Sequence, residues 1–491
     1  MIQVISIILR ALLYFSFLSF AYLVFNSVYN LLFHPLRRYP GPKLWAMSRL
    51  PYARMCISGK PYRKILELHK QYGDTVRVAP NELSYLSPQA WTDIMGHRKD
   101  GQEENGHDPE FYSPTKAEIL SCDRERHGKM RRLLSHGFSR QRMREQEPII
   151  TSYVDLLIKR LNGLCESGKN HVEMTSWYNF TTFDIIGDLT FGEPFGCLEN
   201  SGYHPWVTVI FDSLKFDAFL AHARRFNILS KLLQRCIPTK LIKGRLESSA
   251  LTRTNVNRRL ALGTTRPDFA DAMMKETPSF SLSREELYEN SNILINAGSE
   301  TTATALSGAT YFLTTNPAVQ EKLAAEVRGA FSSESEIDMT STDKLEYLKA
   351  VIEETLRAYP PLPTILPRRT GRQGQNILGE WVPPDTIIGI WQWAMYHDDR
   401  LFTKPDEFHP ERWLGSEDFA SDRKEAMNPF HVGPRNCLGM NLAYSELRLI
   451  LARIIWNFEL KLAPESRGWL DHECYLMWDK PPLNVYLSRR V

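Results

Sequence analysis

Residues 430–439 read Phe-His-Val-Gly-Pro-Arg-Asn-Cys-Leu-Gly, and the rest of the chain is interpreted from this stretch. It places one cysteine, Cys437, between two glycines, Gly433 and Gly439. An apolar pattern over residues 442–458 follows and predicts a helix. Backbone N–H groups and the dipole at the start of a helix stabilise a thiolate, and glycines let the backbone approach the sulfur closely. The stretch therefore predicts a metal-binding thiolate.

Two further residues complete a spaced pattern around the cysteine. Phe430 opens it, and Arg435 is able to pair with an anionic group of a cofactor. A lone cysteine beside a helix is usually a small buried hydrophobic residue. However, the pattern F-x-x-G-x-R-x-C-x-G arises by chance on the order of once in ten thousand sequences of this composition. It resembles the haem-thiolate signature of the cytochrome P-450 monooxygenases. The resemblance implies that Cys437 is the axial ligand of a haem b iron, with Phe430, Gly433, Arg435 and Gly439 around the cofactor.

Length and composition are those of a large globular protein. The chain has 491 residues, 43% of them apolar, which is ample for a sizeable core. Its net charge is +3, and no block of like charge indicates a nucleic-acid partner. The seven cysteines are odd in number and form no C-x-x-C pair. They indicate neither a disulfide framework nor a zinc site, and they favour a reducing compartment.

The N-terminal residues predict a membrane anchor. Residues 2–33 are predominantly apolar, and a helix over residues 11–33 is long enough to cross about 30 Å of hydrocarbon. A cleaved signal peptide is the alternative, but the apolar stretch is too long and no small-residue cleavage site follows. Basic residues come directly after it, at Arg37, Arg38, Lys43 and Arg49. The positive-inside rule then places the rest of the chain in the cytosol. With the family resemblance, we predict a single-pass protein of the endoplasmic reticulum membrane whose catalytic domain is cytosolic.

We therefore predict two units. Residues 1–33 form the anchor, and residues 34–491 form a haem-thiolate monooxygenase catalytic domain. Pro40 and Pro42, on either side of Gly41, predict a stiff and extended link after the anchor.

A second motif lies in the middle of the longest predicted helix. Ser283 and Glu286 form a capping box, and the helical pattern continues to about Thr315, where Asn316-Pro317 ends it. The centre of this helix, residues 297–302, reads Ala-Gly-Ser-Glu-Thr-Thr. A glycine there costs about 1 kcal/mol relative to alanine. Threonines bonded to a carbonyl one turn earlier are the structural alternative.

Together with the cysteine, this stretch resembles the oxygen-binding motif of the same family. The resemblance implies that the small residues Ala297 and Gly298 leave room for dioxygen over the haem iron. It assigns Thr301 to oxygen activation and Glu300 to proton delivery. Many relatives have aspartate at the position of Glu300, and both residues are carboxylates.

Charged residues around the two motifs predict a supporting network. Glu354 and Arg357 are three residues apart and share one helix face. An exposed ion pair is the alternative, and such a pair contributes little to stability. The family resemblance implies instead a buried pair joined by Arg412 of the later Pro-Glu-Arg-Trp stretch, which together hold the cysteine loop.

Other residues are assigned to the haem and the substrate by the same resemblance. His127 and Arg131 share a face of a predicted helix over residues 125–138, and the family usually has tryptophan where this chain has His127. Both are predicted to contact a haem propionate, as is Arg368, with Arg369 as its competitor. The predicted substrate pocket is lined by Leu362, Thr364, Ile365 and Leu366.

The resemblance covers essentially the whole chain and implies a mainly α fold with small β-sheets. The implied reaction inserts one oxygen atom from O2 into a hydrophobic small molecule. Electrons come from NADPH through a separate membrane-bound reductase. The chain is most similar to fungal members that tailor terpenoids or polyketides. The alternatives are a haem-thiolate isomerase or dehydratase that uses no O2, a haem-binding protein without turnover, and a helical membrane scaffold. Glu300 and Thr301 argue against the first two, because neither needs a proton relay.

Overall fold

The computed structural model describes residues 2–98, 102–112, 115–165, 170–226, 238–263, 266–275 and 280–490. These residues are mainly helical, with three small β-sheets, as predicted. The mix of apolar and basic residues over residues 206–241 predicts amphipathic helices, and this segment lies partly outside the described residues.

The helices are numbered in chain order. They are α1 Ile2–Leu32, α2 Lys43–Met47, α3 Leu50–Cys56, α4 Pro61–Tyr72, α5 Pro88–Met95, α6 Arg124–Ser135, α7 Arg140–Leu164, α8 Met174–Phe191, α9 Cys197–Asn200, α10 Pro205–Ala223, α11 Thr239–Ala261, α12 Phe269–Met274, α13 Arg284–Thr315, α14 Pro317–Ala330, α15 Glu346–Ala358, α16 Gln392–Tyr396 and α17 Met440–Asn457.

The strands form one five-stranded sheet, one three-stranded sheet and one hairpin. They are β1 Thr75–Ala79, β2 Glu82–Tyr85, β3 Gly106–His107, β4 His171–Glu173, β5 Arg368–Arg369, β6 Gln375–Ile377, β7 Glu380–Val382, β8 Ile387–Ile390, β9 Phe458–Leu462 and β10 Asn484–Arg489. The strand orders are β1-β2-β8-β5-β3, β4-β10-β9 and β6-β7. Only β2 and β8 pair in parallel among these strands. The alternating pattern around Pro80-Asn81 predicts a hairpin over residues 75–86, which is confirmed as β1 and β2.

The predicted central helix is confirmed as α13. Ser283 is its N-cap, and the reciprocal capping box with Glu286 is formed. The helix ends at Asn316, before Pro317, because proline cannot continue the hydrogen-bonded turn. Its 32 residues span about 48 Å, and most of those after Gly298 are buried. It packs on α8, which is buried on nearly every side, and on α17, which follows the cysteine. The core of the molecule therefore lies around α13.

The N-terminal helix α1 stands apart from this core. It is long and apolar enough to cross a membrane, and its large apolar side chains are exposed. Its last turn is nevertheless fixed to the domain. Asn30 donates to the Met47 carbonyl at 3.0 Å, and the buried Arg77 donates to the Asn30 carbonyl at 2.9 Å. The Arg77 N–H also bonds the Pro40 carbonyl at 2.7 Å, so the proline link lies against strand β1.

Candidate active site

The cysteine loop, residues 430–439, is closed on itself directly before α17. The Cys437 N–H donates to the Phe430 carbonyl at 2.8 Å, and Gly439 is the N-cap residue of the helix. Gly433 has φ +80°, and a Cβ there would overlap the Met95 carbonyl oxygen. Only glycine fits this position without strain. The loop geometry is therefore a direct consequence of the glycine spacing in the sequence.

Cys437 combines an exposed side chain with densely packed surroundings. The residue is exposed, yet the surrounding protein is dense enough that burial raises the pKa of its thiol. The Gly439 N–H and the charge of Arg131 oppose that rise, because both favour the thiolate. Exposure together with desolvation indicates a sulfur open to an internal cavity rather than to bulk water.

The centre of α13 carries an open face. Ala297 is exposed and Thr301 is half-buried, while Ser299, Glu300 and Thr302 around them are buried. Ala297 and Thr301 are one turn apart and share a face. The Thr301 hydroxyl donates to the Ala297 carbonyl at 2.7 Å. This is the backbone bond that the sequence analysis gave as the structural alternative, and it fixes where the hydroxyl oxygen lies.

Gly298 has a packing explanation. A Cβ at this position would lie 2.8 Å from Cδ1 of Ile186 on α8. The missing side chain thus lets α8 and α13 approach each other. Ala297, not Gly298, is the small residue with the exposed face in this turn.

Two arginines keep buried donor atoms without partners among the described residues. Arg368 donates from Nε to the Met95 sulfur at 3.3 Å, but its Nη1 has no partner among the described residues. Arg435 donates from Nη2 to Glu104 at 2.8 Å and to the Cys122 carbonyl at 3.1 Å, while its Nε and Nη1 have none there. Leaving a buried charged donor unpaired is costly. These donors are suited to an anionic ligand.

Two histidines lie beside these arginines. His127 is buried, and burial together with Arg435, Arg131 and Arg368 lowers its pKa to about 3. Burial and the same two arginines, Arg368 and Arg435, lower the pKa of His107. Sequence analysis missed His107, because the two-residue strand β3 that pairs it with Arg368 shows no periodic pattern. The cluster therefore combines neutral histidines with arginines whose positive charge is only partly paired within the described residues.

Arg131 lies against the cysteine loop. Its Nη1 and Nη2 donate to the backbone and side-chain oxygens of Asn436 at 2.6 and 2.5 Å. It therefore braces the cysteine loop directly. Arg369, the competitor of Arg368, is held by Asp108 and Asp385 at 2.7 and 2.8 Å.

The supporting network is present and buried. Arg357 donates to both oxygens of Glu354 at 2.9 and 2.8 Å, and Arg412 donates to the same carboxylate at 3.2 Å. All three side chains are fully buried. Sequence analysis missed the further donors to Glu354, the Trp413 indole and the His409 N–H, each at 3.0 Å. Arg357 also bonds the Tyr396, Pro405 and Glu407 carbonyls, so the network organises the chain leading into the cysteine loop.

The predicted pocket residues divide into two groups. Thr364 is buried and its hydroxyl donates to the Leu476 carbonyl at 3.1 Å. Ile365 is buried against Gly389. Both pack locally and remain predicted pocket residues. Leu362 and Leu366 are half-buried and remain predicted pocket residues.

The residues present fit a haem. A sulfur open to an enclosed space suits the iron, and the unpaired donors of Arg368 and Arg435 suit the propionates. The described residues contain no His, Cys, Asp and Glu group that would hold a metal ion on its own. The six cysteines in the described part of the chain are all free.

Comparison with known proteins defines the class. The family model described as Cytochrome P450 matches residues 39–485. The chain belongs to the cytochrome P450 family, and it is a haem-thiolate monooxygenase. Electrons reach such enzymes from NADPH through a redox partner, and the substrate is a small molecule.

Its relatives are fungal enzymes. The trichothecene C-15 hydroxylase of Fusarium sporotrichioides is 46% identical over 474 residues, 96% of each chain. The averantin hydroxylase of Dothistroma septosporum is 45% identical over 94% of this chain and 88% of its own length. The cytochrome P450 monooxygenase astJ of Aspergillus oryzae is 43% identical over 95% of each chain. These names favour a monooxygenase over an isomerase or a haem carrier.

Proposed function

We propose that this enzyme hydroxylates a hydrophobic secondary metabolite, a terpenoid or a polyketide, at the face of α13 formed by Ala297 and Thr301. The observation that carries the proposal is Cys437, exposed within dense protein at the end of a loop that only its glycine spacing permits. The hydroxylase names of two relatives support the reaction, and the half-buried Leu362 and Leu366 supply apolar surface for such a substrate.

The proposed roles follow from the contacts. Cys437 would bind the haem iron within the loop that contains Phe430, Gly433 and Gly439, while Arg368, Arg435 and His127 would hold the propionates. When bound, the haem supplies the oxygen-activating chemistry. Thr301 would orient a proton at its Oγ1, and Glu300 would resupply that proton. Arg131, with the Glu354, Arg357 and Arg412 network, would keep the loop in place.

The same proposal includes the location. Helix α1 would span the endoplasmic reticulum membrane once, with residues 34–491 forming the catalytic domain in the cytosol. The basic residues that follow α1 support this orientation.

The first test is the replacement of the sulfur. We expect Cys437→Ala to abolish the absorbance band of the reduced, carbon monoxide-bound enzyme, because no thiolate then binds the iron. Cys197→Ala, a buried cysteine in α9, is the matched control and should keep the band. Persistence of the band in Cys437→Ala would exclude this cysteine as the ligand.

A second test addresses the threonine. We expect Thr301→Ala to release more hydrogen peroxide per NADPH consumed, because a proton donor is lost beside the reacting centre. Thr314→Ala is the control, since Thr314 lies in the same helix and donates to the Thr310 carbonyl in the same way, at 2.8 Å. Equal peroxide yields in wild type and Thr301→Ala would contradict the role.

A further inference from the structure

A lysine from outside the predicted motifs contacts the central helix beside Thr301. Lys480 Nζ forms an ion pair with Glu300 Oε1 and donates to the Thr304 hydroxyl at 2.7 Å. The lysine and glutamate side chains are 3% and 1% exposed, so this is a buried pair. Because Glu300 precedes Thr301 in the chain, Lys480 contacts the acid that the proposed function uses for proton delivery.

The segment that carries Lys480 is firmly held. This C-terminal loop, residues 469–483, is fixed before and after the lysine by hydrogen bonds to the rest of the domain. Lys480 precedes Pro481, which restricts its backbone to extended conformations. The bonds are Trp478 indole to the Pro360 carbonyl at 2.8 Å, Trp469 indole to the Pro481 carbonyl at 2.9 Å and the Leu483 N–H to Glu173 at 3.0 Å. The loop therefore presents the ammonium group at a fixed point.

The two carboxylate oxygens of Glu300 differ in their hydrogen-bond partners. Oε1 contacts Lys480 and lies 3.4 Å from the Thr304 hydroxyl, whereas the buried Oε2 has no partner among the described residues. Glu354, the structural carboxylate of this protein, has donors on both oxygens. A carboxylate kept only for structure is expected to be saturated in the same way. The free oxygen of Glu300 therefore favours a role in proton transfer.

Lys480 supplies the positive charge in the surroundings of Glu300. Burial raises the pKa of Glu300, and Lys480 is the largest influence that lowers it. The other titratable groups that interact with the carboxyl are Asp479, Tyr203 and Tyr359. The pKa of Tyr203 is raised to about 12 and that of Tyr359 is raised further, so both phenols are neutral. Without the ammonium group, burial would favour the protonated acid.

We propose that Lys480 is a positioning residue for proton delivery, which holds Glu300 by Oε1 and leaves Oε2 free to accept and release protons. The inference rests on the proposed function of Glu300. Oε2 takes up a proton from solvent and then passes it towards Thr301, which returns the carboxyl to its starting state, so Lys480 does not change its own charge.

The test measures Glu300 directly in the haem-loaded enzyme. Infrared difference spectroscopy against Glu300→Gln isolates the carboxyl stretch, and its pH titration gives the pKa of Glu300. We expect Lys480→Met to raise that pKa by ~1 to 3, and Lys480→Arg to leave it near the wild-type value. Lys461→Met, an exposed lysine in β9, is the control for loss of a charge. An unchanged pKa in Lys480→Met would overturn the proposal.

A second readout separates positioning from a purely structural pair. With reductase and NADPH and no added substrate, Lys480→Met should enlarge the solvent isotope effect on NADPH consumption, while Lys480→Arg restores it. If Lys480→Met does not fold, the double variant Glu300→Gln/Lys480→Met takes its place, because it removes both buried charges and leaves neither unpaired. Wild-type isotope effects in that double variant would then overturn the proposal. If the wild-type enzyme lacked the carbon monoxide band, the proposed function would be contradicted instead. The infrared titration would still measure the interaction between Glu300 and Lys480.

Discussion

Glu446 is a buried acid that lies on α17, nine residues after Cys437. It is 1% exposed, its environment includes a hydrogen bond with Thr302, and its Oε2 has no partner among the described residues. Burial raises its pKa from 4.5 to about 8. The folded protein therefore keeps this carboxyl neutral at a pH where the unfolded chain ionises it. The contribution of the Glu446 carboxyl to the free energy of unfolding is greatest below pH 4.5 and is lost as the pH rises to about 8.

Glu446→Gln should remove this pH dependence. Each pH unit in the window costs about 1.4 kcal/mol of unfolding free energy, so the advantage of the variant over wild type should grow by about 3 kcal/mol between about pH 5.5 and 8. Urea unfolding at several pH values measures this difference. The exposed Glu321→Gln is the control and should follow wild type throughout. An advantage of Glu446→Gln that does not change with pH would refute the prediction.

At the scale of single elements, the cysteine loop depends on one backbone conformation. Gly433 has a left-handed φ, and any side chain there would overlap the Met95 carbonyl. Gly433→Ala should therefore destabilise the protein by about 1–3 kcal/mol and reduce the amount of haem retained on purification. Gly468→Ala, an exposed glycine with no atom near its would-be Cβ, is the control. Normal haem content and stability of Gly433→Ala would show that the loop does not need this conformation.

At the same scale, the stability of the protein depends on the buried network around Glu354. Arg357→Met leaves a fully buried carboxylate with fewer charge partners, and breaking such a pair typically costs about 3–5 kcal/mol. Thermal unfolding should show this loss. Arg423→Met breaks the exposed pair with Glu425 in the same region and should leave stability nearly unchanged. Similar effects of the two variants would mean that the buried network contributes no more than a surface pair.

The ends of helices and the shapes of turns could be predicted from the sequence, because adjacent residues determine them. Ser283, Asn316 and Pro317 mark the ends of the central helix, and the glycines mark the cysteine loop, because caps and tight turns depend on adjacent residues. Lys480 follows Glu300 by 180 positions, and no local pattern connects them. Likewise, the Arg131 contact with Asn436 depends on how α6 docks against the loop. Long-range polar contacts of this kind require the tertiary structure.

At the scale of the whole molecule, helix α1 is joined firmly to the residues that follow it. The last turn of α1 is held by Asn30 and by the buried Arg77, whose guanidinium also bonds the Pro80 carbonyl at 2.7 Å. This arrangement fixes the direction in which α1 leaves the domain. The stiff link predicted from Pro40 and Pro42 lies against β1, so the proline segment is part of the domain surface.

Removal of residues 2–29 should separate membrane attachment from haem binding. The truncation keeps Asn30, and the residues that it removes lie outside the core. We expect the shortened protein to move from the membrane fraction to the soluble fraction after ultracentrifugation, with an undiminished carbon monoxide band. Arg77→Met in the full chain is the companion variant, expected to stay in the membrane but to unfold at lower temperature, because it leaves the Asn30 and Pro80 carbonyls without this buried donor. A truncated protein that still sediments with membranes would show that exposed apolar residues of the domain, such as Leu44 and Leu50, also bind lipid.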